Sequence, residues 1–292
     1  MVYRNIILAL VLLTHLFVTK QTAAQEKTDT SITYVVTKND GTVFVGKILS
    51  KDAREYLMDT KSVGQVSVPK HDVRTIRQAY KWEIDAKGDY HPGDMFATRY
   101  FITTNGLSIE KGESYVIWGL LGPDFQFGVA DNFTIGLMTT WYAVPIIGTA
   151  KYSFDLGENT HLGVGTLLGT GSWAIPQFGL ALPFASFTYG DRRYNATVSA
   201  GYGAAWANGW SGGRFMYSVA GMAKVSKKLS LVFDSFILPQ MPGNDFGISF
   251  IVPSLRIETR PNAAFQFGFA GISVNGEFAP VSIPFVQWFR KL

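Results

Sequence analysis

Side chains able to do acid–base or nucleophilic work are few in this chain of 292 residues, which has four histidines and no cysteine. His15 falls in an apolar leader, His71 in a charged region and His91 in a connector, while His161 sits at a polar turn beside Asp155 and Glu158. Acyl transfer needs an imidazole oriented by an acid on one side and facing a nucleophile on the other. His161 with Asp155 and Glu158 could form an acid–imidazole pair, but such a trio in a polar turn reads as solvated. Without thiols there can be no disulfide, no thiolate metal site and no lipid-bearing N-terminal Cys. No histidines stand at metal-ligand spacing and no acidic cluster appears. Gly163, Gly165, Gly169 and Gly171 keep a strand rhythm rather than opening a helix over a phosphate. The residues therefore predict no enzyme, no cofactor and no metal.

A second set of reactive groups is more informative. Asp124, Lys151, Asp155, Lys224, Asp234 and Arg256 are isolated charges in stretches that otherwise alternate bulky apolar with small residues. In a strand, alternation sends successive side chains to opposite faces. All six then share the face of the small and polar residues, where each must meet a counter-charge or water. A dry interior would make them structural struts, and a wet one would let them set the charge preference of a small pore. The many small inward residues favour struts.

The elements that must position these charges follow from a repeated hairpin signature. Short polar turns at Asp131-Asn132, Gly157–Asn159, Asp191–Arg193, Ser226–Lys228 and Pro261-Asn262 are each followed by an alternating strand. Their spacing of roughly thirty residues suits two strands and two connections of an up-and-down barrel. In Phe133–Tyr142 the set Phe133, Ile135, Leu137, Thr139 and Trp141 points outward and Thr134, Gly136, Met138 and Thr140 inward. Across 194–206, Tyr194, Ala196, Val198, Ala200, Tyr202 and Trp206 face out, while Asn195, Thr197, Ser199, Gly201 and Gly203 face in. A soluble sheet would bury the bulk and expose charge, and these strands have no charged face.

The five turns and a last strand near Val281–Phe289 give eleven strands. Single-chain bacterial barrels have even numbers, so a twelfth must precede residue 113, and Phe96–Gly106 is the candidate. The fold expected is all-β: a small N-terminal β-roll followed by an antiparallel transmembrane barrel of about twelve strands. Ten is the alternative should Phe96–Gly106 lie across the barrel instead. Trp141, Trp173, Trp206 and Trp210 all fall at the strand ends away from the repeated turns, as an interfacial aromatic belt requires. Phe133, Phe154, Tyr189, Tyr194 and Phe265 lie beside the turns and suit a second belt. The far connections, Ala207–Gly213 and Pro239–Asp245 among them, are short, so no large gripping loop or internal plug is expected.

The front of the chain differs in character. Arg4, the apolar run Ile6–Val18 and Thr22-Ala23-Ala24 read as a cleaved secretory signal over residues 1–24. No later segment offers the roughly twenty apolar residues of a membrane helix. Charged residues number 16 among the 55 residues of 25–79 but 30 among the 213 of 80–292, so a soluble domain precedes a charge-poor one. Beyond residue 24 the net charge is +2, which gives no footprint for nucleic acid. Strand-like runs at Ile32–Thr37, Val43–Leu49, Glu55–Asp59, Gln65–Val68 and Val73–Arg77 are parted by turn residues such as Asn39-Asp40-Gly41 and Lys51-Asp52. A connector, 80–95, carries Trp82, Tyr90 and His91-Pro92-Gly93, and is too aromatic for a free linker. His91, with no second histidine near it, reads as solvent-facing or capping.

Two resemblances accompany these readings. The run Asp40-Gly41-Thr-Val-Phe-Val-Gly46-Lys-Ile-Leu, with Val66-Ser-Val68-Pro and Asp72-Val-Arg-Thr-Ile76, resembles the Sm-like or SH3-like module at the front of secreted Bacteroidota proteins. Ala97-Thr-Arg99-Tyr-Phe-Ile, Leu107-Ser-Ile-Glu110-Lys-Gly112-Glu113-Ser-Tyr115 and Asp131-Asn-Phe-Thr-Ile-Gly136 resemble uncharacterised Bacteroidota outer-membrane barrels, over residues 96–292. The resemblance implies fold and location, with outer-membrane lipids as surroundings and the β-roll in the periplasm. It brings no substrate. Two classes of function remain: a narrow, porin-like transport barrel for small solutes, or a structural barrel anchoring a β-roll that binds a periplasmic protein or the cell wall.

Overall fold

The structure, a computed structural model, describes residues 32–80, 83–84, 88–90, 94–240, 246–260, 262–279 and 282–292. The expected signal over 1–24, and Trp82 and His91 of the connector, lie outside the described residues. The chain divides after residue 91 into two compact units.

The first unit is a five-stranded antiparallel sheet of β1 (Thr33–Lys38), β2 (Val43–Lys51), β3 (Glu55–Thr60), β4 (Gly64–Pro69) and β5 (Val73–Gln78), in the order β4-β3-β2-β1-β5. Alternation puts Val36, Ile48, Met58 and Val68 on one face, where they form its buried core with Tyr34, Phe44 and Tyr56 packed against it. Turn chemistry sets the hairpins. Asp40 Oδ1 accepts the Thr42 amide at 2.8 Å, and Asp52 Oδ1 accepts those of Arg54 and Glu55 at 2.6 and 2.7 Å. These amides hold both carboxyls below the usual carboxylate range. Past β5, Glu83 takes the Arg77 guanidinium through both oxygens at 2.6 Å, and Tyr90 joins them. Burial, reinforced by the Glu83 charge, pushes the Tyr90 phenol up to about 12.

In the second unit twelve antiparallel strands close into a barrel. They are β6 (Ser114–Gly119), β7 (Pro123–Ala130), β8 (Phe133–Thr139), β9 (Ile146–Gly157), β10 (Thr160–Gly171), β11 (Ile175–Gly190), β12 (Tyr194–Ala207), β13 (Trp210–Lys224), β14 (Leu229–Leu238), β15 (Ile248–Arg260), β16 (Ala263–Val274) and β18 (Ile283–Lys291), with the two-residue β17 (Glu277–Phe278) folded onto β16. Closure comes from β18 pairing with β6, Gln287 opposite Gly119 through Lys291 opposite Tyr115. A closed ring leaves no strand edge unpaired, which a lipid environment requires.

The polarity of the wall is inverted relative to a water-soluble sheet. Ile135, Leu137, Val164, Leu168, Phe187, Val198, Phe233, Leu255 and Phe267 are exposed on the outside, while Thr134, Ser153, Ser186, Thr188, Thr197, Ser254 and Gln266 are buried within. The single-residue alternation of each strand produces this directly.

Two expectations about the barrel are corrected. The twelfth strand is Ser114–Gly119 rather than Phe96–Gly106. It is joined to β7 by a tight turn in which Gly119 and Gly122 exchange backbone hydrogen bonds across Leu120 and Leu121. Gly122 has φ +150°, and a Cβ there would overlap the Thr139 carbonyl. The lumen, moreover, does hold a plug. Residues 94–113 pass through it with only one isolated bridge, Arg99 with Thr104. Phe96, Ala97, Tyr100, Phe101, Leu107 and Ile109 are buried there, the aromatic rings of Phe96 and Phe101 packing on wall residues Phe289 and Phe285. Asp94, expected in the connector, is the fully buried first residue of this segment. One far connection is also shorter than expected: Asn208-Gly209 alone turn β12 into β13, so that Ala207 pairs with Trp210.

Candidate functional site

The plug consists of loop backbone whose amides and carbonyls have no ladder to join, and each such group left bare inside a dry lumen is costly. The wall charges meet this need. Asp234, on β14, accepts the amides of Phe101, Ile102 and Thr103 at 3.0, 2.6 and 2.8 Å on one oxygen, and the Thr103 hydroxyl at 2.6 Å on the other. Arg256, on the neighbouring β15, does the reverse. Its guanidinium donates to the carbonyls of Phe96 at 2.8 Å, Arg99 at 2.5 Å and Tyr100 at 3.1 Å, while Nε donates to Gln266. Its planar face lies 4.5 Å from the Phe289 ring centroid, and the residue is 0% exposed. Five fixed donors make arginine suited to gathering several carbonyls at once.

Lys151, on β9 across the lumen, donates to the carbonyls of Asn105 and Leu107 at 2.9 and 2.8 Å. The loop 101–107 is thus held at its amides by an acid and at its carbonyls by a base. Ion pairs fix the rest: plug Arg99 with wall Asp124 at 2.8 Å, and plug Glu113 with Arg192 of the β11–β12 turn at 2.8 Å. Arg192 also donates to the Ser108 carbonyl at 2.7 Å. Tyr100 reaches Asn195 and Thr197 on β12, both at 2.6 Å. Between the plug and β7–β11 a cavity of about 30 Å³ is left, lined by Arg99, Tyr115, Gln126, Thr134 and Lys151 among others.

The six charges singled out in the sequence therefore separate. Asp124, Lys151, Asp234 and Arg256 converge on the plug. Lys224, on β13, is buried and pairs with Glu258 on β15, across the intervening β14. Asp155 departs from expectation: it has the inward parity, but β9 runs past the rim there. Its carboxylate is exposed and bonds His161 Nδ1 at 2.7 Å, and His161 Nε2 meets the Gly190 carbonyl at 3.1 Å. An imidazole held on both nitrogens by a turn is a rim strut, and Glu158 takes no part in the pair. Trp141, Trp173, Trp206 and Trp210 are all exposed at the rim opposite the repeated turns. Trp141 stacks on Trp118, and the indole N–H of Trp173 bonds the Tyr142 carbonyl.

Sequence reasoning missed Arg192, Glu113 and Arg99. Arg192 is one of two arginines in a polar turn, and nothing local separates it from Arg193. Arg99 lies in a stretch read as a strand and Glu113 beyond it, so their partners, 25 and 79 residues away, carried no signal.

No family model matches the chain, and no curated protein sequence matches it. Among solved structures, the NanC porin is similar at 8% identity, over 61% of this chain and 97% of that one, with a TM-score of 0.42. OmpT of Vibrio cholerae is similar at 10% identity, over 89% of this chain and 95% of that one, with a TM-score of 0.38. The expectation that the chain is not an enzyme is corrected at this point. Its structural neighbours include several OmpT structures, and a barrel shared at this distance neither confers an activity nor removes one. The chain is an antiparallel twelve-stranded barrel of the outer-membrane kind, preceded by a five-stranded sheet.

Proposed function

We propose that this chain is an outer-membrane barrel sealed by its own segment 94–113, which anchors its N-terminal five-stranded unit in the periplasm, where that unit binds a protein or cell-wall partner. The observation that carries the reading is the occupied lumen: buried Phe96, Tyr100, Phe101, Leu107 and Ile109 of the segment pack inside the wall, and between the segment and β7–β11 a cavity of about 30 Å³ has room for one or two water molecules. Orientation rests on the even strand number. The first and last strands meet at one rim, where the Leu292 amide bonds the Ser114 carbonyl at 2.9 Å, and the repeated polar turns share that rim. The apolar outer face then meets acyl chains, and the exposed tryptophans of the opposite rim form the outer interfacial belt.

A second reading, a gated channel for small solutes, is favoured by the polar wall behind the plug, with Ser153, Ser186, Thr188, Thr197 and Ser218 on its inner face. Planar bilayers separate the two. The anchor reading expects no conductance from the intact chain and discrete channels once residues 95–111 are replaced by a short Gly/Ser linker. Steady conductance from the intact chain would reject the seal, and voltage-dependent opening would favour the channel.

A further inference from the structure

The buried charges of the lumen do not cancel locally. Arg256 lies 3.5 Å from Asp94, Arg192 pairs with Glu113, Lys224 with Glu258 and Arg99 with Asp124. Lys151 stands apart: it contacts carbonyl oxygens and the Thr104 hydroxyl, and among the described residues it has no ion pair. The other charge without an opposite partner, Asp234, is on β14 and is answered by amides. The two do not neutralise each other directly. A buried ammonium answered only by dipoles is an expensive arrangement unless a counter-ion completes it.

The cavity of about 30 Å³ lies beside this lysine. Lys151 and Arg99 both line it, and the carboxylate nearest to hand, Asp124, is already engaged by Arg99 at 2.8 Å and by the Gln126 amide at 2.6 Å. Two groups on its lining are orphaned. The hydroxyl of Thr134, only 2% exposed, has no hydrogen-bond partner, and neither has Nε of Arg99. Thr134 and Lys151 sit opposite each other on paired strands, Arg99 on the plug facing them. The lining thus offers two cations, an unused N–H and an unused O–H, with its one nearby acid already spent on an arginine. The lining hydroxyls and the Gln126 amide can accept as well as donate, but two cations against one acid leave a net positive charge beside an orphaned N–H, which describes a site for one small anion.

We propose that this cavity binds one small monovalent anion, chloride under ordinary conditions, which bridges plug residue Arg99 to wall residues Thr134 and Lys151. The ion completes the charge balance of the lumen. It also ties the plug to β8 and β9, on the side of the barrel opposite Asp234 and Arg256.

Bromide tests the site on the intact chain in detergent micelles. Crystals grown in sodium bromide are expected to show an anomalous peak inside the cavity. The thermal midpoint is expected to rise by about 5 °C in bromide or chloride over an equal ionic strength of methanesulfonate, which is too large to enter. Thr134→Val, a nearly isosteric change, should reduce that rise at least twofold while leaving the barrel folded, and Lys151→Met should abolish it. Should Lys151→Met fail to fold, the wild-type peak and the Thr134→Val response still decide the matter. A cavity holding only water, a midpoint indifferent to the anion, or an undiminished halide response in Thr134→Val would each overturn the proposal.

Discussion

At the scale of single residues, Asp234 and Arg256 do the work that a hydrogen-bond ladder does elsewhere. Three amides and a hydroxyl converge on one carboxylate, and three carbonyls on one guanidinium. Charge-assisted hydrogen bonds of this kind contribute about 1.5–3 kcal/mol each, and a stranded partner costs more. Asp234→Asn keeps the shape but turns an acceptor into a donor facing amides. It is expected to lower the thermal midpoint in micelles by about 5–10 °C, corresponding to roughly 2–3 kcal/mol. An unchanged midpoint would show that the plug is held by its apolar contacts alone. The inward face of these residues was legible in the sequence, because the parity of Asp234 and Arg256 follows from Phe233 and Leu255 beside them. Their partners were not legible. Loop amides 131–133 residues away leave no trace in local periodicity.

Individual elements show where pattern reading succeeds and fails. Strands β8–β16 alternate visibly and start at Asn, Asp, Gly or Lys turns, so they could be placed from sequence. The β6–β7 hairpin could not, since its turn is Leu120-Leu121 flanked by glycines and carries no polar turn residue. An apolar turn suits the rim that meets lipid, and it made two short strands look like one. Phe96–Gly106 failed in the opposite sense. Its aromatics mimic a strand, but Tyr100 and Phe101 are adjacent and both buried, as befits a segment surrounded by the wall. The wall itself has a weak seam. Between β13 and β14 the pairing runs from Tyr217–Ile237 to Gly221–Phe233 with no backbone pairs between. The Ser235 hydroxyl fills in there, accepting from the Val219 amide at 3.0 Å and donating to its carbonyl at 2.6 Å. Ser235→Ala removes both bonds at a stroke. Hydrogen exchange at the Val219 amide is expected to speed up by about tenfold or more, consistent with roughly 1–3 kcal/mol for an unsatisfied pair. Exchange as slow as in the parent would mean the ladder closes without the hydroxyl.

For the whole molecule, each compact unit has its own core: Val36, Ile48, Met58 and Val68 in the first, and the plug against the wall in the second. A chain with residues 32–78 deleted is therefore expected to insert and to keep the parent's heat-modifiable mobility on gels. Loss of the folded band would show that the barrel depends on the sheet before it. Scanning calorimetry of the intact chain should give two transitions, the first of which disappears on deletion.

The plug precedes every wall strand in the chain, yet two of its anchors sit on late ones: Asp234 is 131 or more residues downstream, and Arg256 reaches back 160 to Phe96. Ring closure needs the last strand to find the first. These two late anchors and ring closure thus become available only once nearly the entire polypeptide has been delivered, a topology that makes the final step of assembly slow. The segment 94–113 must already be inside when the cylinder shuts, so it serves as the mandrel around which the sheet is wound.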